Sequence, residues 1–182
     1  MAYIGVVRPV IAVYSEENGK AVYSGGIRFG KAIKVEIDPQ YEDVSDYNDI
    51  NDTDEDEEFS YADITLDTDE IAEEVEPMLF GREPDGISRE SDCSGYVGVG
   101  FRTRRVKNGR VRYLAIWICK AKFREGSSSH ETKGDSISYQ TPSTPGKAVP
   151  DVEGKWKIKK TFETAEEADS WIDSIAGIER ED

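Results

Sequence analysis

The sequence contains no long apolar run, and this absence bears first on membranes. No stretch approaches the ~20 consecutive apolar residues that a transmembrane helix requires. The opening segment MAYIGVVRPVIAVYSEE has neither a basic leader nor a sustained apolar stretch, so it does not resemble a secretory signal. We therefore expect a chain that is made in the cytoplasm and has no contact with a membrane.

Residues with reactive side chains are also scarce. Cys93 and Cys119 are the only cysteines, and their spacing is not that of a CxxC motif, so we expect two free thiols. His130 is the only histidine and lies in a serine-rich stretch, which is typical of a solvated loop residue. A serine or cysteine nucleophile that needs a histidine base would depend on this one residue. The sequence therefore predicts neither an enzyme nor a bound cofactor.

Basic residues are missing where acidic residues concentrate. The 182-residue chain has 38 Asp and Glu against 23 Lys and Arg, and its net charge of -15 disfavours nucleic-acid binding through the surface as a whole. Residues 35–81 hold nineteen Asp or Glu and no Lys or Arg, whereas residues 93–124 hold nine Lys or Arg and no Asp or Glu. A solvated surface normally mixes the two signs, so this separation calls for an explanation.

The acidic run YEDVSDYNDINDTDEDEEF, residues 41–59, fails as a calcium loop. An EF-hand loop needs a glycine at its sixth position and a glutamate at its twelfth. Counted from Asp49, these positions are Asp54 and Ser60, and the register that begins three residues later fails in the same way. We predict instead a long acidic loop at about 39–60, for which loose binding of divalent ions remains an alternative.

Strand-like patterns dominate the rest of the chain. The amino-terminal third alternates, and Pro9 within it indicates an edge strand or a bulge because proline cannot donate to a ladder. Asn108-Gly109 separates two long alternating runs, which predicts a two-residue hairpin because both turn positions need positive φ. We expect one face of this hairpin to be core and the other to lie under a helix or a neighbouring chain. The first face carries Val99, Phe101, Leu114, Ile116 and Ile118, and the second carries Arg102, Arg104, Tyr113 and Trp117 among small residues.

Two segments have helical signals. Residues 67–76 begin with the capping-box pattern D-x-x-E, and we expect this helix to end before Pro77. A second helix is expected at about 164–176, from the capping box T-x-x-E at its start to Gly177 after its end. Of the remaining segments, SISYQTP and WKIKKTF are predicted strands, and STPGKAVPDVEGK is predicted to be irregular. We treat residues 1–182 as a single domain.

The order and spacing of several segments are more specific than any one of them. The segments are MAYIGVVRPV, GKAIKVEI, an acid-rich stretch leading into FSYADITLDTDEIAEEV, GYVGVGF with KNGRVRYLAIWICKAKF, ETKGDSISYQTP, and EGKWKIKKTFETAEEADSWIDSIAG. Taken together they resemble, nearly from end to end, the major tail tube proteins of long-tailed (siphovirus-type) bacteriophages and of prophages of Gram-positive bacteria.

The resemblance implies a mainly β (α+β) fold, namely a β-sandwich or partly open barrel with a flanking α-helix and a short carboxy-terminal helix. It implies a structural virion protein that self-assembles into hexameric rings, which stack into a tail tube around the tape-measure protein. The other implied partners are the tail terminator, distal tail proteins and tail assembly chaperones, while duplex DNA passes through the lumen during ejection without specific binding. The implied location is the virion tail, and the host cytoplasm during assembly.

Candidate site residues follow from this resemblance. Carboxylates in a lumen would repel DNA phosphates over a Debye length of ~8–10 Å, so we expect the acidic run to contribute to the lumen or to contacts between rings. Its candidate residues are Glu42, Asp43, Asp46, Asp49, Asp52, Asp54, Glu55, Asp56, Glu57 and Glu58. Candidate subunit contacts on the basic hairpin are Arg102, Arg104, Arg105, Tyr113 and Trp117. An internal pairing of these arginines with the acidic run is an alternative.

Two other functions stay open on the sequence. One is an acidic protein-binding module or DNA mimic, which needs evenly spaced acids on a rigid strand or helix, whereas the acidic run has the Asp- and Asn-rich composition of a loop. The other is the tube subunit of a tailocin or of a secretion-needle-like particle.

Overall fold

The described residues form one antiparallel β-sheet and two helices. A computed structural model describes residues 2–28, 30–44, 56–83, 85–128 and 141–178. The elements in chain order are β1 (Ala2–Glu17), β2 (Lys20–Arg28), β3 (Ala32–Val44), β4 (Asp56–Thr68), α1 (Glu76–Phe80), β5 (Val97–Lys107), β6 (Arg110–Phe123), β7 (Ser143–Ala148), β8 (Lys157–Phe162) and α2 (Ala165–Ala176). In the parts of the chain described, neither helix has the length and apolar character needed to cross a membrane. The predicted mainly β fold is confirmed.

The eight strands form one branched sheet. Seven of them follow the order β2-β1-β5-β6-β7-β4-β3, and β8 joins as a second partner of β6. The branch arises because β6 is long: its residues 113–118 pair with β8, and its residues 121–123 pair with β7. The sheet also curls, since β3 contacts β1.

The β5–β6 hairpin confirms the register predicted from its turn. Asn108 and Gly109 have φ of 51° and 73°, as a two-residue hairpin turn requires. Arg105 pairs with Arg112, and Val99 pairs with Ile118, so the two faces of the hairpin divide as expected. The local turn signal was sufficient because the two strands are adjacent in sequence.

Two buried clusters lie on the two faces of the sheet. The larger cluster packs α1 against the inner face and comprises Ile11, Ala62, Ile64, Leu66, Val75, Leu79, Phe80, Val97, Val99, Ile118, Ala121, Phe123 and Ala148. The smaller cluster lies under α2 and comprises Val10, Ala12, Ala115, Trp117, Cys119, Ala168, Ile172 and Ala176. The second hairpin face is therefore covered by a helix of the same chain, one of the two predicted covers.

The carboxy-terminal helix was predicted correctly. Thr164 accepts a hydrogen bond from the Glu167 backbone N–H, and the Glu167 side chain accepts one from the Thr164 backbone N–H. Gly177 ends the helix with φ of 70°, in the left-handed region. The β8 strand, expected from WKIKKTF, precedes this helix and is confirmed.

The helix predicted over residues 67–76 is wrong. Residues 67–68 end β4 instead of starting a helix, and α1 begins at Glu76, where the predicted helix was to end. Pro77 occupies the first turn of α1, where its missing N–H costs no hydrogen bond.

Pro9 lies at a register shift of the β1–β5 pairing between Val7 and Val10, which confirms the bulge, one of the two predicted alternatives. β2 pairs with β1 only from Val10 onward.

Of the segment predicted to be irregular, residues 143–155, the first six residues form β7, whereas residues 149–155 lie in no helix or strand, as predicted. This strand pairs with β4 along residues 143–148 and with the end of β6, so tertiary pairing overrides its proline- and glycine-rich composition. The predicted strand SISYQTP and His130 fall outside the described residues, except for the last two residues of that segment, which are not in a strand.

Candidate functional site

The flanks of the acidic run form a two-stranded arm. β3 continues to Val44 and β4 begins at Asp56, so the predicted loop at 39–60 is wrong where it meets these strands. We call residues 41–44 and 56–59 the acidic arm. Within it, Glu42 lies opposite Glu58 and Asp43 lies opposite Glu57. All four of these side chains are exposed, and carboxylates placed directly opposite each other repel.

An aromatic contact fixes the base of the acidic arm. Phe59 stacks on Trp156, which precedes β8, with ring centroids 4.4 Å apart and an interplanar angle of 8°. Tyr41 packs edge-on against Phe59 at 6.0 Å. Ser60 Oγ donates a hydrogen bond to Glu42 Oε1 at 3.0 Å. The arm therefore leaves the body of the protein beside β8 in a defined direction.

The other predicted acids are only partly placed. Asp46, Asp49, Asp52, Asp54 and Glu55 lie outside the described residues, and Asp56 is described only through its backbone pairing with Val44. No group of three His, Cys, Asp or Glu side chains suited to a metal ion occurs within the described parts of the chain.

Arg102 is paired inside the chain rather than with the acidic run. Its Nε donates a hydrogen bond to Asp169 Oδ1 of α2 at 2.6 Å, and its guanidinium lies 5.6 Å from the centre of the Tyr113 ring. Trp117 is fully buried beneath α2, with 0% of its surface exposed. The acidic run, the internal partner considered as an alternative, is therefore not the partner of Arg102. Trp117 has no exposed surface for a subunit contact in this conformation. Arg104 is exposed on the same face, and its role in a subunit contact stays a prediction.

The acids of α2 form the network that the sequence analysis missed. Asp173 Oδ2 accepts hydrogen bonds from Arg8 Nη2 at 2.8 Å and from Arg28 Nη2 at 3.0 Å. Asp169 lies one turn earlier and joins Arg8 to Arg102. A sequence signal existed, because two aspartates four residues apart lie beside the apolar stripe of a well-marked helix.

The opposite face of the β5–β6 hairpin carries a basic cluster. Arg105 pairs across the strands with Arg112, and Lys107 pairs with Arg110, next to the turn. We call these four residues the basic tip. They line one shallow depression together with Asn108 and Thr161. Arg112 Nη2 also lies 3.6 Å from Glu163 Oε1, an exposed ion pair that contributes little. Arg105 thus lies on the face away from α2, unlike Arg102 and Arg104.

The two cysteines are free thiols, as expected. Cys93 is exposed and Cys119 is buried beneath α2. Burial raises the pKa of the Cys119 thiol from 9.0 to about 12, so this thiol is a poor nucleophile. Tyr23 Oη donates a hydrogen bond to the Cys119 carbonyl at 2.8 Å, and its ring meets Trp117 edge-on at 5.0 Å. This environment is that of a packed core rather than of a reaction site.

No protein-family model matches the chain, and no curated protein matches it. The geometry described above and the resemblance of the sequence segments are what support a function.

Proposed function

We propose that this chain is the subunit of a phage-type tail tube, a structural protein that closes into rings which stack around the tape-measure protein and conduct DNA. Its fold would then be the tail tube variety of curled, partly open β-barrel. The observation that carries the proposal is a four-stranded part of the sheet, β1–β5–β6–β8, whose outer edges at residues 2–7 of β1 and at β8 have no further strand partner among the described residues. Residues 2–7 of β1 pair only with β5, and β8 pairs only with β6.

The strand directions at these two edges suit a ring. β1 is antiparallel to β5, β5 to β6, and β6 to β8, so β1 and β8 run in opposite directions. Rotation about an axis along the strands preserves direction, so β8 of one copy would meet β1 of the next as an antiparallel neighbour. Exposed strand edges are a hazard in a monomer and a means of closure in a ring.

The size of such a ring agrees with a DNA conduit. Six copies, the number implied by the resemblance, would each add four strands and give a barrel of roughly 24 strands. Barrel diameter grows about linearly with strand number, and barrels of about 16 to 18 strands already enclose an aqueous channel. A barrel of this size therefore suits a channel wider than those pores.

α2 decides which face would line the channel. Because α2 covers the face that carries Arg102 and Trp117, we place α2 on the outside of the ring. The larger buried cluster occupies the opposite face at Val99 and Ile118, so we place toward the channel only the end of that face beside the β5–β6 turn. That end carries the exposed Lys107 and Arg110, and cations on a channel wall would hold DNA phosphates, so these two side chains need a neutralising partner in the assembled tube.

An acidic protein-binding module is the second candidate, and one observation favours it. The acids at the flanks of the run lie on paired strands, with Glu42 opposite Glu58, and not on a loop. A rigid array of this kind is what a mimic of a phosphate backbone requires. Such a protein would act as a monomer bound to a cellular partner.

Negative-stain electron microscopy of the purified protein, combined with sedimentation velocity, separates the two functions. Rings with a central channel, or tubes built from them, are expected for a tail tube subunit. A strictly monomeric chain that captures one cellular protein with high affinity would contradict the proposal and support the acidic module.

A further inference from the structure

Two hairpins of this protein stack like charges across their strands. On the acidic arm, Glu42 faces Glu58 and Asp43 faces Glu57. On the basic tip, Arg105 faces Arg112 and Lys107 faces Arg110. The two acidic pairs are successive, whereas one pair, Val106 and Val111, separates the two basic pairs. Like charges placed directly opposite each other destabilise a hairpin.

The rest of the chain relieves this repulsion only in part. None of the four acids named on the arm forms an ion pair with any described residue, and the same holds for Lys107 and Arg110. Arg112 reaches only the exposed Glu163 at 3.6 Å. Among the described residues, no ion pair joins these four acids to Lys107, Arg110 or Arg112 of the tip.

We propose that the acidic arm of one copy docks on the basic tip of a second copy. The two surfaces are opposite in charge, and each lies on a two-stranded antiparallel ladder. Because arm and tip are different parts of one chain, a head-to-tail contact leaves one arm and one tip free, and repetition of it links every copy to the next. This inference deepens the proposed function, because it names the contact that would join subunits in the tube.

Docking of this kind would also neutralise the cations that face the channel. The basic tip lies on the face away from α2, at the end beside the β5–β6 turn that would face the channel. An arm from a neighbouring copy would cover these cations with carboxylates and leave a net negative surface toward DNA. Phosphates would then be repelled within a Debye length instead of being held.

Charge reversal on each surface tests the contact. Glu42→Lys, Asp43→Lys, Glu57→Lys and Glu58→Lys together reverse the charge of the arm, and Lys107→Glu, Arg110→Glu and Arg112→Glu together reverse that of the tip. The arm variant keeps two like-charged cross-strand pairs and the tip variant keeps one, so the stability of the single chain should change little. We expect each variant alone to lose association by about tenfold or more in sedimentation velocity, because attraction becomes repulsion at the contact.

Mixing the two variants shows whether the contact lies between copies. The arm variant has two basic surfaces and the tip variant has two acidic surfaces, so each repels itself but attracts the other. We expect an equimolar mixture, and the variant that carries all seven reversals, to associate like the wild-type chain at low salt. Association of all these species should weaken at high salt.

Matched controls exclude a general effect of charge. Lys20→Glu reverses a cation at the turn of the β1–β2 hairpin, and Glu73→Lys with Glu74→Lys reverses two exposed acids outside the arm. These variants should associate like the wild-type chain. If both reversed variants form rings as well as the wild-type chain does, the docking is overturned but the tube function is not.

The remaining outcomes are also decisive. Mutual rescue in the mixture with only dimers or open chains in the microscope would support the docking and overturn the tube function. A wild-type chain that stays monomeric at every concentration and salt level would overturn both. Reversals that lower the unfolding free energy of the monomer without changing association would show that arm and tip pair within one chain, which would also overturn the docking.

Discussion

Arg8 Nη2 lies 2.8 Å from Asp173 Oδ2, and this ion pair joins a bulge in β1 to the helix α2. Arg8 has φ of 58°, in the left-handed region, so the bulge turns its side chain toward α2 at some conformational cost. Asp173 is only 3% exposed and also accepts a hydrogen bond from Arg28. One carboxylate thus holds together β1, β2 and the carboxy-terminal helix.

Removal of that carboxylate should loosen α2. Asp173→Ala leaves the Arg8 guanidinium partly buried without its main partner, and we expect a loss of about 2–3 kcal/mol in unfolding free energy. Urea denaturation followed by tryptophan fluorescence measures it, because Trp117 lies beneath α2. Ser174→Ala, on the exposed side of the same helix, is the control and should change stability by less than about 0.5 kcal/mol. Equal stability of the two variants would contradict this role of Asp173.

Gly100 should not tolerate a side chain. A Cβ built at this position would lie 2.5 Å from Trp117 Cε3 and 2.7 Å from Ile172 Cγ2. Gly100→Ala should therefore force Trp117 or α2 to move and cost about 1–3 kcal/mol. At Gly95, by contrast, a Cβ would meet nothing within 4 Å, so Gly95→Ala should be nearly neutral. Thermal unfolding of the two variants provides the comparison, and a neutral Gly100→Ala would show that this packing is wrong.

Alkaline pH should destabilise the folded chain through Cys119. Burial raises the pKa of this thiol from 9.0 to about 12, so the unfolded chain releases the proton at lower pH than the folded chain. The stabilisation is complete below about pH 9 and is lost as pH rises toward about 12. We expect Cys119→Ala to reduce the fall in unfolding free energy across that window. An unchanged pH dependence in this variant would exclude the thiol as a source of the effect.

Trp156 should control the position of the acidic arm. Its ring stacks on Phe59 at 4.4 Å, and Trp156→Ala removes that contact at a cost of about 1 kcal/mol or more. Amide hydrogen exchange should then become faster along residues 41–44 and 57–59 and remain unchanged in the β5–β6 hairpin. Trp171→Ala, which removes an aromatic partner of Phe162 on α2, serves as the control and should leave exchange in the arm unaltered. Faster exchange throughout the sheet would mean that Trp156 supports the whole fold rather than the arm.

The sequence was informative wherever local chemistry decides the structure. Asn108-Gly109 determines the hairpin turn, and the strands that leave it are adjacent in the chain, so the register followed. The capping box of Thr164 and Glu167 defines α2 in the same way. In both cases a few neighbouring residues satisfy the backbone without help from distant segments.

The acidic arm and β7 were missed because their structure depends on distant partners. Residues 41–44 and 56–59 have the composition of a loop, but they extend the β3–β4 ladder and rest on Trp156, about a hundred residues away. β7 pairs with β4 and β6, which supply hydrogen bonds that its own sequence does not suggest. Segregation of charge was visible in the sequence, but the cross-strand stacking of like charges requires the register.

The candidate subunit contacts lie on two different faces of the hairpin, and their partners are distant in the sequence. Arg102 was named because of its place on a basic hairpin, yet its partner Asp169 lies on α2, 67 residues further along the chain. Strand alternation placed Arg102 and Arg105 on opposite faces, and only the position of α2 shows which face is covered. Acids and cations could thus be named from the sequence, whereas their partners could not.

The proposed assembly into rings is tested most directly by negative-stain microscopy of the purified wild-type chain, over a series of protein concentrations at low salt. The account predicts rings with a central channel, or stacked tubes, that grow more frequent with concentration. A chain that remains monomeric across the whole series, with no ring in any field, would contradict it.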